Sequence, residues 1–186
     1  MPSFTRRAIM ESFLKLLDAR PLNKITIKDI VEDCGINRNT FYYHFEDIPA
    51  LVEAIVQDTT DQLMQRNASV PSLEAGMYAA VEEILRFRRA ILHIYNSPNR
   101  EMYERSLMQQ CQYIVETFLT AFIGERRISA EDRAIVAQLY KCQCYGMFID
   151  WLNDDLRCDL QPRIERLAHL RRGMLDETIA RCEKEA

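Results

Sequence analysis

The stretch ITIKDIVEDCGINRNTFYYHF, residues 25–45, decides the fold of this chain. Ile27, Ile30 and Val31 follow the i, i+3, i+4 spacing that places apolar side chains on one face of a helix. Gly35 comes soon after this segment, and glycine adopts positive φ without steric cost, so a sharp turn is expected there. The pattern predicts two short helices joined by a tight turn.

Polar side chains mark where each of the two helices begins. Thr26 precedes the first apolar residue and Asp29 lies three positions later, an arrangement related to the capping box. Asn37 is a favourable N-cap for the second helix, which buries Phe41 and Phe45 at i and i+4. Burial of these two phenylalanines leaves the other side chains of the second helix to face away from the core.

Those other side chains are hydrogen-bond donors, and none of them is acidic. They are Arg38, Asn39, Thr40, Tyr42, Tyr43 and His44. Arginine bonds guanine bidentately, asparagine bonds adenine, and hydroxyl groups reach phosphates, so this helix suits the major groove of DNA. The alternative is a plain helical hairpin with solvated tyrosines.

The whole stretch resembles the helix-turn-helix of TetR-family transcriptional regulators. The matching residues are Ile25-Thr26, Asp29-Ile30, Cys34-Gly35-Ile36, Arg38, Thr40-Phe41-Tyr42-Tyr43-His44-Phe45 and Leu51. The resemblance covers residues 5–60 and continues beyond them only as a longer helical part. It implies an all-α protein with a three-helix DNA-binding domain and its connecting helix in residues 1–66. Residues 67–186 would form a helical ligand-binding and dimerisation domain, with the polar break NASVPS, residues 67–72, as the boundary.

The segment after the helix-turn-helix departs from the family pattern. Family members often carry a lysine there that contacts phosphate, whereas this chain has Glu46-Asp47-Ile48-Pro49. Relatives in the dihydroxyacetone-kinase regulator branch of the family look similar at this point. The two added anions favour an alternative function, a TetR-like co-regulator that acts through a partner protein and binds DNA weakly or not at all.

By this resemblance, the DNA-binding residues lie in and beside the second helix. We predict that Arg38, Asn39 and Tyr42 contact bases or the groove. Phosphate contacts are expected from Thr26, Lys28, Thr40, Tyr43 and His44, and Asn37 completes the predicted DNA-binding set. The first 50 residues carry seven basic and seven acidic side chains, so affinity should depend on local placement of cations and on dimerisation.

Two helices near the end of the chain are predicted to form a dimer. A helix capped by Ser129 runs to about residue 156, and another spans residues 162–182. The first is apolar on two sides, and one monomer core covers only one side easily. The predicted interface residues are Ile135, Leu139, Cys142, Gly146, Ile149, Leu167, Leu170 and Met174. Paired with their symmetry mates, the two helices would make a four-helix interface; the alternative is that both close the monomer core.

The middle helices are predicted over residues 73–87 and 88–95 and from Pro98 to residue 123. By resemblance they would hold an effector pocket. The candidate lining residues are Tyr78, His93, Tyr103, Gln112, Tyr113 and Tyr140. Aromatic side chains with polar tips suit a mostly apolar pocket, and they suit an ordinary core equally well.

Composition supports a regulator rather than an enzyme. Of the 186 residues 48% are hydrophobic, enough for a sizeable core, and the net charge is -4. The sequence has no Gly-rich phosphate loop, no G-x-S-x-G and no metal-ligand spacing, so we expect no catalytic residue, no metal and no cofactor. The six cysteines are expected to be reduced, buried or half-buried thiols. Without a signal peptide or an apolar stretch of about 18–20 residues, we expect a cytoplasmic protein.

The sequence therefore predicts a transcriptional regulator, with a repressor as the expected mode and an activator as the alternative. Two recognition helices related by a two-fold axis would bind a palindromic operator on double-stranded DNA. A small-molecule effector would release or activate the dimer by favouring one dimer geometry.

Overall fold

The structure, a computed structural model, describes residues 4–66 and 71–185. These residues form α-helices joined by short turns, with one 3-10 turn at Leu22–Lys24 and no strand among them. In chain order the helices are α1 (Phe4–Ala19), α2 (Ile27–Cys34), α3 (Arg38–His44), α4 (Ile48–Arg66), α5 (Leu73–Arg86), α6 (Arg88–Tyr95), α7 (Arg100–Ile123), α8 (Ala130–Asn153), α9 (Gln161–Leu170) and α10 (Met174–Glu185). The predicted all-helical class is confirmed.

The chain divides into two compact units. The first contains the residues up to Asp61 together with Ile84–Ser106, and the second contains Gln62–Glu83 together with the residues from Leu107 onward. The predicted boundary at residues 67–72 falls mostly outside the described residues, because 67–70 are not described. The division into residues 1–66 and 67–186 therefore stays a prediction.

The core of the first unit is built on one face of α1. Ile9, Phe13 and Leu17 recur at i, i+4 and i+8 and are fully buried. The Ser12 hydroxyl donates to the Ile30 carbonyl at 3.3 Å, which ties α1 to α2. These contacts place the helix-turn-helix on a rigid support.

Helix α6 packs on α1 within the same unit. The His93 Nδ1 lies 2.6 Å from the Leu17 carbonyl oxygen, at the end of α1. A buried pair of hydroxyl groups, Thr60 on α4 and Ser106 on α7, joins two further helices of this unit at 2.7 Å. Burial of polar groups is tolerated here because each has a hydrogen-bond partner.

The second unit is organised around the inner face of α8. Phe148 and Leu152 are buried one turn apart, and the indole Nε1 of Trp151 donates to the Cys158 carbonyl at 2.7 Å. Cys111 and Cys144 are also buried, and burial raises the pKa of both thiols. High thiol pKa values keep these cysteines protonated and unreactive at neutral pH.

Three helix boundaries differ from those predicted. The helix expected from Pro98 begins at Arg100, because Pro98 lies in a turn closed by the Ser97 side chain, which accepts from the Asn99 N–H at 3.1 Å. Helix α8 ends at Asn153 rather than 156, since Asp155 and Leu156 have φ of +52° and +56°.

The single helix predicted for residues 162–182 is two helices. The first ends at Leu170 and the second begins at Met174, and Gly173 between them has φ of +83°. A further difference concerns the cysteines, because Cys142 is exposed rather than buried or half-buried. Both differences fall on the outer side of the second unit.

Candidate DNA-binding surface

Helix α2 begins with a complete capping box. The Thr26 hydroxyl oxygen accepts from the Asp29 N–H at 3.2 Å, and the Asp29 carboxylate accepts from the Thr26 N–H at 2.8 Å and from its hydroxyl at 2.6 Å. The Thr26 hydroxyl, followed by its backbone N–H, lowers the pKa of Asp29 to about 2, and Arg20 at 3.2 Å adds to the effect. The start of α2 is therefore fixed by local polar contacts.

The turn between α2 and α3 depends on one glycine. Gly35 has φ of +69° and ψ of +32°, and its N–H donates to the Val31 carbonyl. The Ile36 N–H donates to the same carbonyl at 3.0 Å. A residue with a side chain would be strained at this φ, so Gly35 sets the angle between the two helices.

Helix α3 is capped at its start and anchored by two aromatic rings. The Asn37 side chain accepts from the Thr40 N–H at 2.9 Å and from the Thr40 hydroxyl at 3.0 Å. Phe41 and Phe45 are buried with ring centroids 5.9 Å apart. The Arg6 guanidinium lies 5.2 Å from the centre of the Phe45 ring, so α1 also holds the end of α3.

The outward face of α3 carries the predicted base-contacting residues. Arg38 and Asn39 are exposed, Tyr42 retains 55% of its exposure and Tyr43 retains 85%. His44 is half-buried, and its ring meets the Tyr43 ring edge-on at 5.0 Å. The face therefore combines a cation, an amide and two phenol hydroxyls on a single helix of seven residues.

The other predicted contact residues lie beside this face with partners of their own. Thr26 and Asn37 act as helix caps, and the Thr40 hydroxyl donates to Asn37. Lys28 is exposed and lies 3.7 Å from Glu32 one turn later on α2. Their DNA contacts stay predictions.

Anions border the same surface. Glu46 and Asp47 are exposed directly after α3, and the Asp47 carboxylate accepts from the Ala50 N–H at 2.8 Å, which caps α4. Asp47 thus has a structural role at the start of α4. Sequence patterns did not reveal the position of Arg6 over Phe45, because Arg6 lies on α1 and Phe45 follows the end of α3.

The predicted effector residues are divided between the two units. His93 and Tyr103 belong to the first unit, where Tyr103 meets the Tyr95 ring edge-on at 6.3 Å. In the second unit, Tyr113 donates to the Met64 carbonyl at 2.9 Å and Tyr140 is buried under Arg171.

Tyr78 and Gln112 line two different surface grooves. Tyr78 lies in a groove of about 280 Å³ beside Glu82 and Glu165, and Gln112 lies in one of about 210 Å³ between α7 and α8. The structure does not bring the six residues to one of these grooves. An effector pocket stays a prediction.

The predicted dimer residues lie on the outside of the second unit. Ile135 and Leu139 on α8 retain 58% and 62% of their exposure, and Leu170 and Met174 beside the α9–α10 turn retain 60% and 56%. The other members of the predicted interface are exposed or half-buried: Cys142, Gly146, Ile149 and Leu167. The opposite face of α8 is buried, so only one of its two apolar sides is covered within the chain.

The described part of the chain offers neither a metal site nor a membrane span. Residues 4–66 and 71–185 contain no cluster of three or more potential metal ligands. None of their helices is both long and apolar enough to cross a bilayer.

Comparisons with known proteins agree with this architecture. A family model described as "Bacterial regulatory proteins, tetR family" matches residues 9–55, and one described as "Transcriptional regulator C-terminal region" matches residues 72–173. The HTH-type transcriptional regulator YxbF of Bacillus subtilis is 30% identical over 63 residues, 34% of this chain and 17% of YxbF. The HTH-type transcriptional repressor KstR2 of Mycolicibacterium smegmatis is 25% identical over 108 residues, 54% of this chain and 53% of KstR2. The matches therefore span about half or less of these relatives.

Solved structures share the fold at low sequence identity. The dihydroxyacetone kinase operon activator DhaS is 13% identical with a TM-score of 0.75 over 98% of both chains. GusR of Salmonella enterica is 17% identical with a TM-score of 0.57, covering 89% of this chain and 94% of its own. NalD, the secondary repressor of the MexAB-OprM multidrug efflux pump in Pseudomonas aeruginosa, is 19% identical with a TM-score of 0.55, covering 89% and 93%. Because one family model covers more than half of the chain and a second covers its helix-turn-helix, this protein belongs to the TetR family of bacterial transcriptional regulators.

Proposed function

We propose that this TetR-family regulator is a cytoplasmic homodimeric repressor that binds a palindromic operator through α3. The observation that carries the proposal is the outward face of α3, where Tyr42 and Tyr43 are exposed beside Arg38 and Asn39. Large aromatic side chains on a water-facing helix gain little within the monomer, whereas their rings and hydroxyls suit the bases and phosphates of a groove. The repressor mode follows the printed name of the relative KstR2.

The homodimer is supported by the uncovered apolar face of the second unit. Arg171, between Leu170 and Met174, contacts Gln143 on α8, so the exposed side chains of α8, α9 and α10 lie on neighbouring segments. Gly146 costs about 1 kcal/mol in mid-helix relative to alanine. Apart from the backbone of its own helix turn and its two chain neighbours, a Cβ atom added at Gly146 would meet no atom of the described residues within 4 Å, so their packing does not require this glycine. Close approach of a second helix would explain it.

A two-fold axis would place two copies of α3 on one face of DNA. Recognition helices in such dimers contact half-sites about 34–36 Å apart, one helical turn of B-DNA. The operator should therefore be close to palindromic. Doubling the contact also compensates for the even balance of charge in the first 50 residues.

The proposal includes a small-molecule effector, as membership of this family suggests. An effector would act by binding one dimer geometry more tightly than another, which changes the spacing of the two recognition helices.

Selection of bound duplexes from a random DNA pool at near-physiological salt tests the proposal. We expect an enriched palindrome with half-sites one helical turn apart. The Arg38→Ala variant in a parallel selection should relax preference at one position of each half-site, because it removes one bidentate base contact. A folded wild-type dimer that enriches no duplex would contradict operator binding.

A second candidate function is a co-regulator that acts through a partner protein. The observation that favours it is the pair of exposed anions, Glu46 and Asp47, directly beside α3. Retention on a heparin column separates the two functions. A DNA-binding regulator should be retained at low salt and elute as the salt concentration rises, because its affinity for a polyanion falls steeply with salt. A co-regulator of this kind should not be retained.

A further inference from the structure

The turn between α9 and α10 is held to its unit by one inward-pointing side chain. Arg172 and Gly173 are exposed, whereas the Arg171 side chain retains only 16% of its exposure. This turn is flanked by Leu170 and Met174, which belong to the exposed apolar face. The position of these two apolar side chains therefore depends on how Arg171 is held.

The Arg171 guanidinium contacts side chains on two other helices. Its Nη1 donates to Gln143 Oε1 at 2.8 Å, and its carbon lies 5.3 Å from the centre of the Tyr140 ring, both on α8. Its Nη2 lies 3.8 Å from Glu74 Oε1 in the first turn of α5. One side chain thus joins α5, α8 and the α9–α10 turn.

The contact with α5 is incomplete as it stands. A separation of 3.8 Å is longer than a hydrogen bond, and the Arg171 Nε is buried with no hydrogen-bond partner among the described residues. Movement of α5 toward the turn would bring the Glu74 carboxylate into hydrogen-bond reach, and movement away would leave a mostly buried cation without its counter-charge. Both changes alter the free energy strongly in a region of low dielectric.

We propose that Arg171 couples the position of α5 to the exposed apolar face at Leu170 and Met174. The coupling rests on the proposed homodimer, in which this face contacts the second copy. A displacement of α5 changes the Arg171–Glu74 separation, the α9–α10 turn adjusts, and the strength of the dimer contact changes with it. Arg171 is a positioning residue in this scheme, because it acts through Leu170 and Met174.

The test measures the dimer dissociation constant of the full chain by sedimentation for Arg171→Gln, Glu74→Gln and the double variant. Arg172→Gln is the matched control, since it removes the same charge from the exposed side of the same turn. Fluorescence of Trp151, the only tryptophan, reports whether the packing of α8 is kept.

We expect each single variant to weaken the dimer about tenfold, because each removes the Arg171–Glu74 contact that links α5 to the turn. The double variant should form a dimer no weaker than that of Arg171→Gln alone, since the Arg171–Glu74 contact is already lost in that single variant. Arg172→Gln should change the dissociation constant by less than about twofold. If Arg171 only supported the turn locally, Arg171→Gln would weaken the dimer and Glu74→Gln would leave the dissociation constant unchanged.

The outcomes separate the coupling from the homodimer. A wild-type dimer that Glu74→Gln leaves unchanged overturns the coupling alone, and so does an additive double variant. A wild-type chain that stays monomeric at micromolar concentration overturns the homodimer and the coupling together. If Arg171→Gln fails to fold, the dissociation constant of Glu74→Gln alone tests the coupling. This variant should fold, because it alters a partly exposed carboxylate at the start of a helix.

Discussion

Helix α3 in the first unit and helix α8 in the second both expose large side chains, and the chemistry of those side chains differs. On α3 the exposed rings of Tyr42 and Tyr43 end in hydroxyl groups and stand beside an arginine. On α8 the exposed side chains of Ile135 and Leu139 have no polar atom. Hydroxyl and guanidinium groups form hydrogen bonds with phosphates and bases, whereas burial of aliphatic carbons away from water is what lowers the free energy of an apolar contact.

This difference separates two kinds of partner on one chain. The α3 face suits a polyanion with hydrogen-bond acceptors, and the α8 face suits another apolar protein surface. Contiguous apolar patches are uncommon on monomers and mark interaction sites. The comparison predicts that substitutions on the two faces affect different measurements.

The largest expected effect comes from a charge on the α8 face. Leu139→Glu should raise the dimer dissociation constant about 100-fold or more, because association would bury two unpaired carboxylates. The control is Gln138→Glu, which adds the same charge at the exposed preceding position of the helix. It should change the dimer dissociation constant less than about threefold. Light scattering over a dilution series measures both. A Leu139→Glu chain that stays dimeric would show that α8 does not form the contact.

Cys142 gives the same comparison a chemical readout. Its thiol is exposed in the single chain and lies on the α8 face. Dimerisation should therefore protect Cys142 from alkylation, and Leu139→Glu should restore the reaction. Equal alkylation rates in the two proteins would place Cys142 outside the interface.

Neighbouring residues on α3 should give opposite results. Tyr42→Ala should weaken binding to the selected duplex about tenfold and leave the melting temperature nearly unchanged, because its ring is mostly exposed. Phe41→Ala should lower the free energy of unfolding by about 3–5 kcal/mol, because its ring is fully buried. Thermal melts measure the stability of the two variants, and binding isotherms measure their affinity for the duplex. A large loss of stability in Tyr42→Ala would mean that the outward face of α3 contributes to the core.

The capping box of α2 should make a smaller, pH-dependent contribution. Thr26→Ala should lower the free energy of unfolding by about 1 kcal/mol at neutral pH. Asp29 has a pKa lowered to about 2, so its stabilisation is present above its ordinary pKa of 3.8 and is lost as the pH falls from there toward 2. The difference between wild type and Thr26→Ala should therefore narrow in that range.

Thr178→Ala on α10 is the control for the capping box. The Thr178 hydroxyl donates to the Met174 carbonyl at 2.8 Å and to no carboxylate. The change that Thr178→Ala makes in the free energy of unfolding should not depend on pH between about 5 and 2.5. Urea titrations across the range measure both variants, and a constant Thr26→Ala difference would contradict the role of Asp29.

The smallest expected effect concerns the anion beside α3. Glu46→Gln should strengthen binding to duplex DNA about two- to threefold at low salt, because it removes one repulsion from the phosphates. Glu83→Gln, on α5, is a control of the same chemistry outside the helix-turn-helix. If both variants bind DNA as wild type does, Glu46 lies away from the DNA backbone.

The sequence predicted best where contacts are local. Thr26, Asp29, Gly35 and Asn37 act within three or four residues of themselves, so their roles in caps and turn follow from spacing. The apolar period of α8 likewise separated the buried side from the side with Leu139. The all-helical class, predicted from these patterns, and the family, predicted from the resemblance of residues 25–45 to TetR regulators, are confirmed.

The sequence predicted poorly where distant segments meet. The break at Gly173 was missed because the flanking residues keep a helical apolar period, and its Arg171 anchor depends on Gln143, 28 residues away. The contact of the His93 ring with the Leu17 carbonyl, 76 residues earlier, was not predicted. Such contacts leave no periodic signal. The DNA contacts, the dimer and the effector pocket stay predictions.

The anchoring of α3 by Phe41 and Phe45 separates stability from specificity. The exposed positions of Arg38, Asn39 and Tyr42 can change without opening the core, since none of their side chains fills it. A gene duplicate could therefore exchange one operator for another through single substitutions that carry little folding penalty. On this scaffold, a few substitutions would be enough to change the operator that is bound. A change in either phenylalanine would instead abolish binding to the old and the new operator together.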